Sequence, residues 1–376
     1  MKKIAFFCIP AHGHTNPMLP VAAELVRRGD AVRFYSFDEF EAKIKATGAE
    51  FVSCTRFLPE MTKEEEEAVK NISTTDAFNQ MSSKYMKQSA AELGDMIFGL
   101  PKISKALKEM EPYGYHIKNA MMLVQSDNKT DSVVYTSRNF QPYSECFSDH
   151  YAFVGPSVFS KVLPNKKKER PLVYISMGTV INERPDFYNK CIEALKDMNV
   201  DVIISCGNSL DQKLLGELPP NVQVYPCVDQ LDVLSRADAF ITHCGMNSVS
   251  ESLYMAAPMV LYAQTSEQNA VARKTKEIGA GVLLADDSAA GIKAAVQEIL
   301  DHDSYVKAAK ACCDDFRSCS GTAGAADFIE NAPHTEECFD MMEELKKVNQ
   351  RFHPIYWAIF AAIIVCFGVF VTWQYA

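Results

Sequence analysis

The chain has no CxxC pair, and its 12 cysteines fall at no regular spacing. That argues against a zinc ribbon or a disulfide framework, and reduced cytosolic thiols are the simplest reading. Positive charge is not in excess either: a net charge of −10 argues against nonspecific nucleic-acid binding. No signal peptide stands at the start, where Lys2-Lys3 leads straight into the strand-like run Ile4–Ile9. No internal repeat of solenoid or propeller length is visible. Long apolar runs are absent except for one, at residues 354–373. What remains is a globular composition, 48% hydrophobic and 23% charged. The 376 residues suffice for two ordinary domains and a tail.

Strand and helix patterns alternate in two blocks. In the first, Ile4–Ile9, Ala31–Ser36 and Glu50–Ser53 read as strands. A polar turn at 10–17 follows the first strand. Met18–Arg28 and Glu39–Ala46 read as helices that stop at Gly29 and Gly48. Further helices are expected at 61–68, 75–100 and 101–110, and a strand at Asp131–Ser137. Pro164–Arg170 is a basic, solvated linker. Alternation restarts with strands at Leu172–Ser176, Asp201–Ser205, Val222–Tyr225, Ala239–Thr242, Pro258–Tyr262 and Gly281–Leu283. Helices are expected at Arg184–Lys196, Leu231–Ser235, Val249–Met255 and Asn269–Ile278, then at Ala289–Leu300, Ser304–Arg317 and Thr322–Glu330. This order predicts an α/β fold of parallel sheets with helices on both faces.

Residues 238–268 hold most of the chemistry. Ala239–Thr242 is apolar, His243–Asn247 is a polar turn centred on Gly245, and Asn247 and Ser248 are helix-capping types. A strand, a glycine turn and a helix start together present unpaired backbone N–H groups at the carboxyl end of a sheet, which seats phosphate. Gln264–Gln268 is the loop after the next strand, so two polar loops offer places for two halves of one ligand. Ser176, Gly178 and Thr179 form a small-residue turn that lets backbone approach phosphate. In the first block, His14 lies in the loop after the first strand, and imidazole has the pKa range of a general base. A turn histidine without chemistry is the plainer alternative. A His12/His14 metal pair lacks a third ligand.

The string Thr242-His243-Cys244-Gly245-x-Asn247-Ser248-x-x-Glu251, followed by Pro258 and Glu267-Gln268, resembles the signature of the family-1 glycosyltransferases, the UDP-glycosyltransferase superfamily. The likeness is greatest to the bacterial macrolide and antibiotic branch. Gly13-His14-Thr15-Asn16-Pro17 resembles the family's base-bearing string. The resemblance implies GT-B architecture, two Rossmann-like domains facing a cleft. Residues 1–157 would bind the acceptor, with a shortened stretch near 93–131, residues 158–170 would link, and residues 171–350 would bind the nucleotide sugar. By the same resemblance His14 would be the catalytic base. His243 and the N–H groups around Gly245, Asn247 and Ser248 would hold the diphosphate, helped by Ser176, Gly178 and Thr179. Glu251 would take the ribose hydroxyls, and Glu267 and Gln268 those of the sugar. Val228 and Gln230 would lie near the uracil. The stacking tryptophan of plant relatives is replaced by Cys227, and Cys244 reads as a packing residue. No metal or cofactor is implied beyond the UDP-sugar co-substrate. The family's carboxylate that orients the base has no evident counterpart, and Asp127 is a candidate replacement.

Residues 354–373 contain no charged residue, and twenty helical residues span roughly 30 Å, the thickness of a bilayer core. Tyr356 and Trp357 at one end, with Trp373 and Tyr375 at the other, suit interfacial belts. Lys346, Lys347 and Arg351 precede the stretch. A single-pass C-terminal anchor with the protein body on the cytoplasmic face is therefore expected. The expected function is inverting transfer of a hexose, glucose foremost, from a UDP-sugar to a hydroxyl of an apolar small molecule or lipid. The alternatives are a membrane-tethered UDP-sugar-binding protein without catalysis, and an epimerase acting on the UDP-sugar itself.

Overall fold

A strand triplet opens the chain. β1 (Lys3–Phe7), β2 (Ala31–Ser36) and β3 (Glu50–Ser53) run parallel in the order β1-β2-β3. The structure is a computed structural model and describes residues 1–8, 12–55, 131–158, 163–165, 169–179 and 181–332. The helices expected between 61 and 110, the candidate Asp127 and the tail from 333 onward, with its apolar run 354–373, lie outside those residues. β2 alternates, turning Val32, Phe34 and Ser36 inward, as a strand with one face on a core does.

Helix α1 (His12–Arg27) joins β1 to β2 and buries Thr15, Val21, Ala22 and Leu25. It starts at His12, six residues ahead of the Met18 start expected from the sequence, and takes in Pro17 and Pro20. Each proline lacks the N–H that would bond the carbonyl four residues back. The carbonyls of Gly13 and Asn16 therefore have no i+4 partner. Short α2 (Glu41–Lys45) leads into β3 and buries Ile44. Farther on, β4 (Ser132–Val134) and β5 (Tyr151–Phe153) pair in parallel. β4 is shorter than the strand Asp131–Ser137 read from the sequence, because the chain bends at 135 and 136 and turns from 138.

The larger sheet is six-stranded and parallel throughout. β6 (Leu172–Ser176), β7 (Asp201–Ser205), β8 (Val222–Tyr225), β9 (Ala239–Thr242), β10 (Met259–Leu261) and β11 (Gly281–Leu283) stand in the order β11-β10-β9-β6-β7-β8. β6, β9 and β10 are buried at every position, as central strands covered on both faces must be. One face packs on α3 (Pro185–Leu195) and α7 (Ala289–Asp301) through Phe187, Ile192, Ile292 and Val296. The other packs on α4 (Gln230–Arg236), α5 (Met246–Tyr254) and α8 (Asp303–Ser318) through Leu234, Leu253, Ala309 and Phe316. Helix α6 (Ser266–Glu277) connects β10 to β11.

The last described helix, α9 (Gly321–Asn331), joins the core of the first sheet. Its Ala325 and Ala326 pack with Val21, Leu25 and Phe34. Arg28 of the loop after α1 pairs with Asp327 at 2.6 Å and Glu330 at 2.5 Å. Gly155 takes a left-handed φ of +83°, and a Cβ there would stand 2.7 Å from Cys319 Cβ.

The membrane anchor expected at 354–373, and with it the single-pass location on a membrane face, is corrected. Among the described residues no helix is long and apolar enough to cross a membrane. α1 and α8, the longest of them, have 16 residues each, short of the roughly 20 apolar residues that a crossing needs. The stretch 354–373 itself lies outside the described residues.

Candidate active site

Strand order reverses between β6 and β9. The chain runs outward from β6 to β8, returns to β9 and runs outward the other way to β11. Ligands of open α/β sheets bind at such a switch point, beyond the carboxyl ends of the strands. The two strands there end in register, Ser176 opposite Thr242. The turn Ser176–Thr179 and the turn His243–Gly245, both singled out from the sequence, are therefore brought side by side.

His243 fills the space between these turns. A Cβ built on Gly178 would stand 2.5 Å from its Cε1 and Nε2, and one on Gly245 would stand 2.4 Å from Nε2. Glycine at both positions is thus the condition for the ring to sit there. Gly178 also has a left-handed φ of +79°, which glycine adopts without strain. His243 Nδ1 is buried without a hydrogen-bond partner. Burial pushes the imidazole pKa down to about 4, and the Ser176 backbone opposes this only in part. The ring is neutral at pH 7. Cys244 has a left-handed φ of 66° and is fully buried. Burial pushes its thiol up to about 12, which fits packing rather than reactivity.

Helix α5 starts at Met246, with Gly245 at its N-cap and no side-chain cap. Asn247 and Ser248 lie inside the first turn, not at the cap as their residue types suggested. By contrast α4, α6 and α7 are each capped by a side chain, from Asp229, Thr265 and Ser288. The first-turn N–H groups of α5 are left open, beside His243, with the positive end of the helix dipole behind them.

A buried chain of hydrogen bonds lies beneath. Tyr174 of β6 stacks on Phe240 of β9 with centroids 4.8 Å apart, and its hydroxyl donates to Gln230 Oε1 at 3.1 Å. Gln230 Nε2 donates to Glu251 Oε2 at 2.6 Å and reaches Ser248 Oγ at 3.5 Å. Both ends of the Gln230 amide are therefore engaged within the protein. Burial raises the Glu251 carboxyl pKa, and the Gln230 bond pulls it back. Among the described residues nothing is hydrogen-bonded to Glu251 Oε1. Val228 is half-buried against the same core, and Cys227 is exposed.

The loop after β10 is tied to the loop after β6. Gln268 Oε1 accepts from the Gln264 backbone N–H at 2.8 Å, and Gln268 N–H donates to Thr265 Oγ1 at 3.3 Å. Gln264 Nε2 donates to the Ile181 carbonyl at 3.2 Å, and its Oε1 accepts from Arg184 Nη1 at 3.1 Å. Arg184 is fixed in turn by Asp186 at 3.1 Å. Buried Asn182 donates to the Gly178 carbonyl at 2.9 Å and holds that turn. Glu267 and Thr179 are exposed.

His14 lies in the first turn of α1 and is exposed. Among the described residues no carboxylate is hydrogen-bonded to it. His12 packs edge-on to Phe40, with centroids 5.0 Å apart. Asn247 Nδ2 donates to the Gly13 carbonyl at 2.8 Å. That bond brings the His14 turn against the start of α5.

Known proteins resemble this chain in sequence and fold. The family described as UDP-glucoronosyl and UDP-glucosyl transferase matches residues 161–312. The NDP-glycosyltransferase YjiC of Bacillus licheniformis is 30% identical over 384 aligned positions, which take in 88% of this chain and 97% of that protein. The chain belongs to the UDP-glycosyltransferase family. The oleandomycin glycosyltransferase of Streptomyces antibioticus, 25% identical over 87% of this chain and 90% of its own length, supports the macrolide-like branch. The crystal structure of the glycotransferase of kitacinnamycin superposes with a TM-score of 0.65 at 25% identity, over 87% of this chain and 98% of that one. The fold is GT-B with parallel sheets, and the protein transfers a sugar from a nucleotide-diphosphate sugar to an acceptor.

In this glycosyltransferase the residues that sequence reasoning missed are the supporting ones. Tyr174, Asn182 and Gln264 bond the expected site residues Gln230, Gly178 and Gln268, and Arg184 holds Gln264. A polar residue at the end of an otherwise apolar strand-and-turn pattern was the signal for Asn182. Arg184 and Gln264 are far apart in sequence and meet only through the fold.

Proposed function

We propose that the protein is an inverting glycosyltransferase that moves a hexose, glucose foremost, from a UDP-sugar to a hydroxyl of an apolar small molecule or lipid. One observation carries the donor half: the neutral His243 ring held between Gly178 and Gly245, beside the uncapped start of α5, at the switch point. The open N–H groups of that helix and the imidazole N–H suit a diphosphate. The Glu251 Oε1 oxygen suits ribose hydroxyls. Gln268, whose Oε1 is spent on Gln264, offers its Nε2 to a sugar hydroxyl, and exposed Glu267 offers an acceptor. The family's description, UDP-glucoronosyl and UDP-glucosyl transferase, supports uridine as the base and includes glucose among the sugars.

In the proposed reaction the acceptor O–H gives its proton to His14. The oxygen then attacks the anomeric carbon from the face opposite the diphosphate. The carbon–oxygen bond to the diphosphate breaks, and UDP leaves as an anion held by α5 and His243. A single displacement inverts the anomeric centre. No metal is required where helix N–H groups and the imidazole neutralise the leaving group. Domain roles follow the sequence reading: residues 1–157 for the acceptor, 171–350 for the donor.

The test is incubation of the full chain with UDP-glucose and a panel of phenolic and lipid acceptors, with mass spectrometry for product and NMR for its anomeric configuration. Transfer with inversion is expected, and retention would refute His14 as a single-displacement base. Binding of UDP-glucose without any transfer would favour the non-catalytic alternative. In that case the positions of the Bacillus relative that this chain lacks, 384 being more than 88% of 376, would be the place to look for the loss.

A further inference from the structure

We propose that the Asn247 side chain is a positioning residue for His14, acting through the Gly13 carbonyl that Pro17 leaves open. The inference rests on the reading of His14 as the base. Pro17 cannot donate to the carbonyl four residues back, which is that of Gly13. Asn247 Nδ2 fills this vacancy at 2.8 Å. A carbonyl only accepts, so the amide orientation is fixed: Nδ2 faces Gly13, and Oδ1 faces away. Nδ2 carries a second N–H that the Gly13 bond does not use, so the same amide can tie the His14 turn and still donate to a diphosphate oxygen.

The first turn of α1 is fastened at three points. Thr15 is buried and its Oγ1 meets Cys8 Sγ at 3.2 Å. The Pro17 carbonyl accepts from Ser157 Oγ at 2.5 Å. The third fastening, Asn247 to Gly13, is the one that comes from the helix of the donor site. His14 is the next residue after Gly13, so its place relative to that helix follows from this bond. Asn247 is the second residue of α5, and the helix start that would hold the leaving diphosphate thereby also places the base.

The test compares wild type, Asn247→Ala, Pro17→Ala and the double variant. Pro17→Ala restores an N–H that can take the Gly13 carbonyl within the helix. Asn247→Ala should lower kcat about 10- to 100-fold, the usual result of misplacing a reacting group by an ångström or so, and the rise in the Kd for UDP should be smaller than that fall. In the Pro17→Ala background the same change should cost less than about threefold in kcat, because the carbonyl then has a helical partner. An unchanged kcat in Asn247→Ala overturns the proposal. A fall in UDP affinity equal to the fall in kcat overturns it too, since the side chain would then hold the donor. Amide hydrogen exchange at Asn16, Met18 and Leu19, whose N–H groups face the carbonyls of the first turn of α1, gives a readout without turnover: faster exchange in Asn247→Ala is expected, and equal exchange overturns the proposal. Should the wild type transfer no sugar at all, the reading of His14 as base fails, and the exchange measurement still decides whether Asn247 holds the turn.

Discussion

Gly245→Ala is the sharpest perturbation of the donor site. Gly245 has φ −63° and ψ 138°, which alanine adopts without strain, so the backbone does not oppose the change. The side chain does. Its Cβ would fall 2.4 Å from His243 Nε2, about 1 Å short of ordinary van der Waals contact. The Gly178 side offers the ring little room either, since a Cβ built there would also stand only 2.5 Å from Cε1 and Nε2. It must turn out of the gap, into the space proposed for the diphosphate. Overpacking of this size costs about 1–3 kcal/mol, which as lost affinity is about 5- to 150-fold in the Kd for UDP. Calorimetric titration reads that number directly. A second titration series in a His243→Ala background tests the cause, since without the ring Gly245→Ala should cost less than about twofold. Wild-type affinity in Gly245→Ala, or an equal loss with and without the ring, would refute the reasoning.

Three further outcomes are expected. His14→Ala should lower kcat about 10²- to 10⁴-fold with the UDP Kd unchanged, and a matching loss of UDP affinity would remove His14 from the base role. Gln230→Leu breaks the bonds to both Tyr174 and Glu251, so unfolding in urea should show a loss of about 1–3 kcal/mol, and an unchanged midpoint would mean that the buried chain holds nothing. The His243 pKa falls from its ordinary 6.5 to about 4 on folding, so its neutral form is the one that folding favours. Its contribution is present above about pH 6.5 and is lost as pH falls toward 4, by up to about 3 kcal/mol. Urea unfolding at pH 7.5 and 4.5 should therefore show a smaller pH dependence in His243→Gln than in wild type, and equal dependence would contradict a buried neutral ring.

The larger sheet was legible because its strands are short apolar runs between helix-period segments, and β11 was read to the residue. The order of those strands was not legible. Periodicity says that Leu172–Ser176 and Ala239–Thr242 are buried strands, but only their hydrogen bonding makes them neighbours and so joins two turns into one site. Helix starts were read late for the same local reason in both halves. Pro17 and the glycine turn at 245 look like breakers, yet a proline early in a helix costs only the bonds it cannot donate, and a glycine N-cap leaves the helix to start directly after it. The place of Gln230 in the string points to the uracil, but the string says nothing of the bonds that engage its amide at both ends, to Tyr174 and Glu251, partners 56 and 21 residues away. The apolar run at 354–373 is read from its length, its hydropathy, its aromatic flanks and the basic residues before it, and it lies outside the described residues.

The central claim is that the turns after β6 and β9 hold a uridine diphosphate sugar. Calorimetric titration of the full chain with UDP-glucose tests it most directly. One site per chain is predicted, with a rise in melting temperature on saturation and loss of both signals in Gly245→Ala. Neither heat nor a shift in melting temperature in the wild type, at ligand concentrations well above those of the cell, would contradict it.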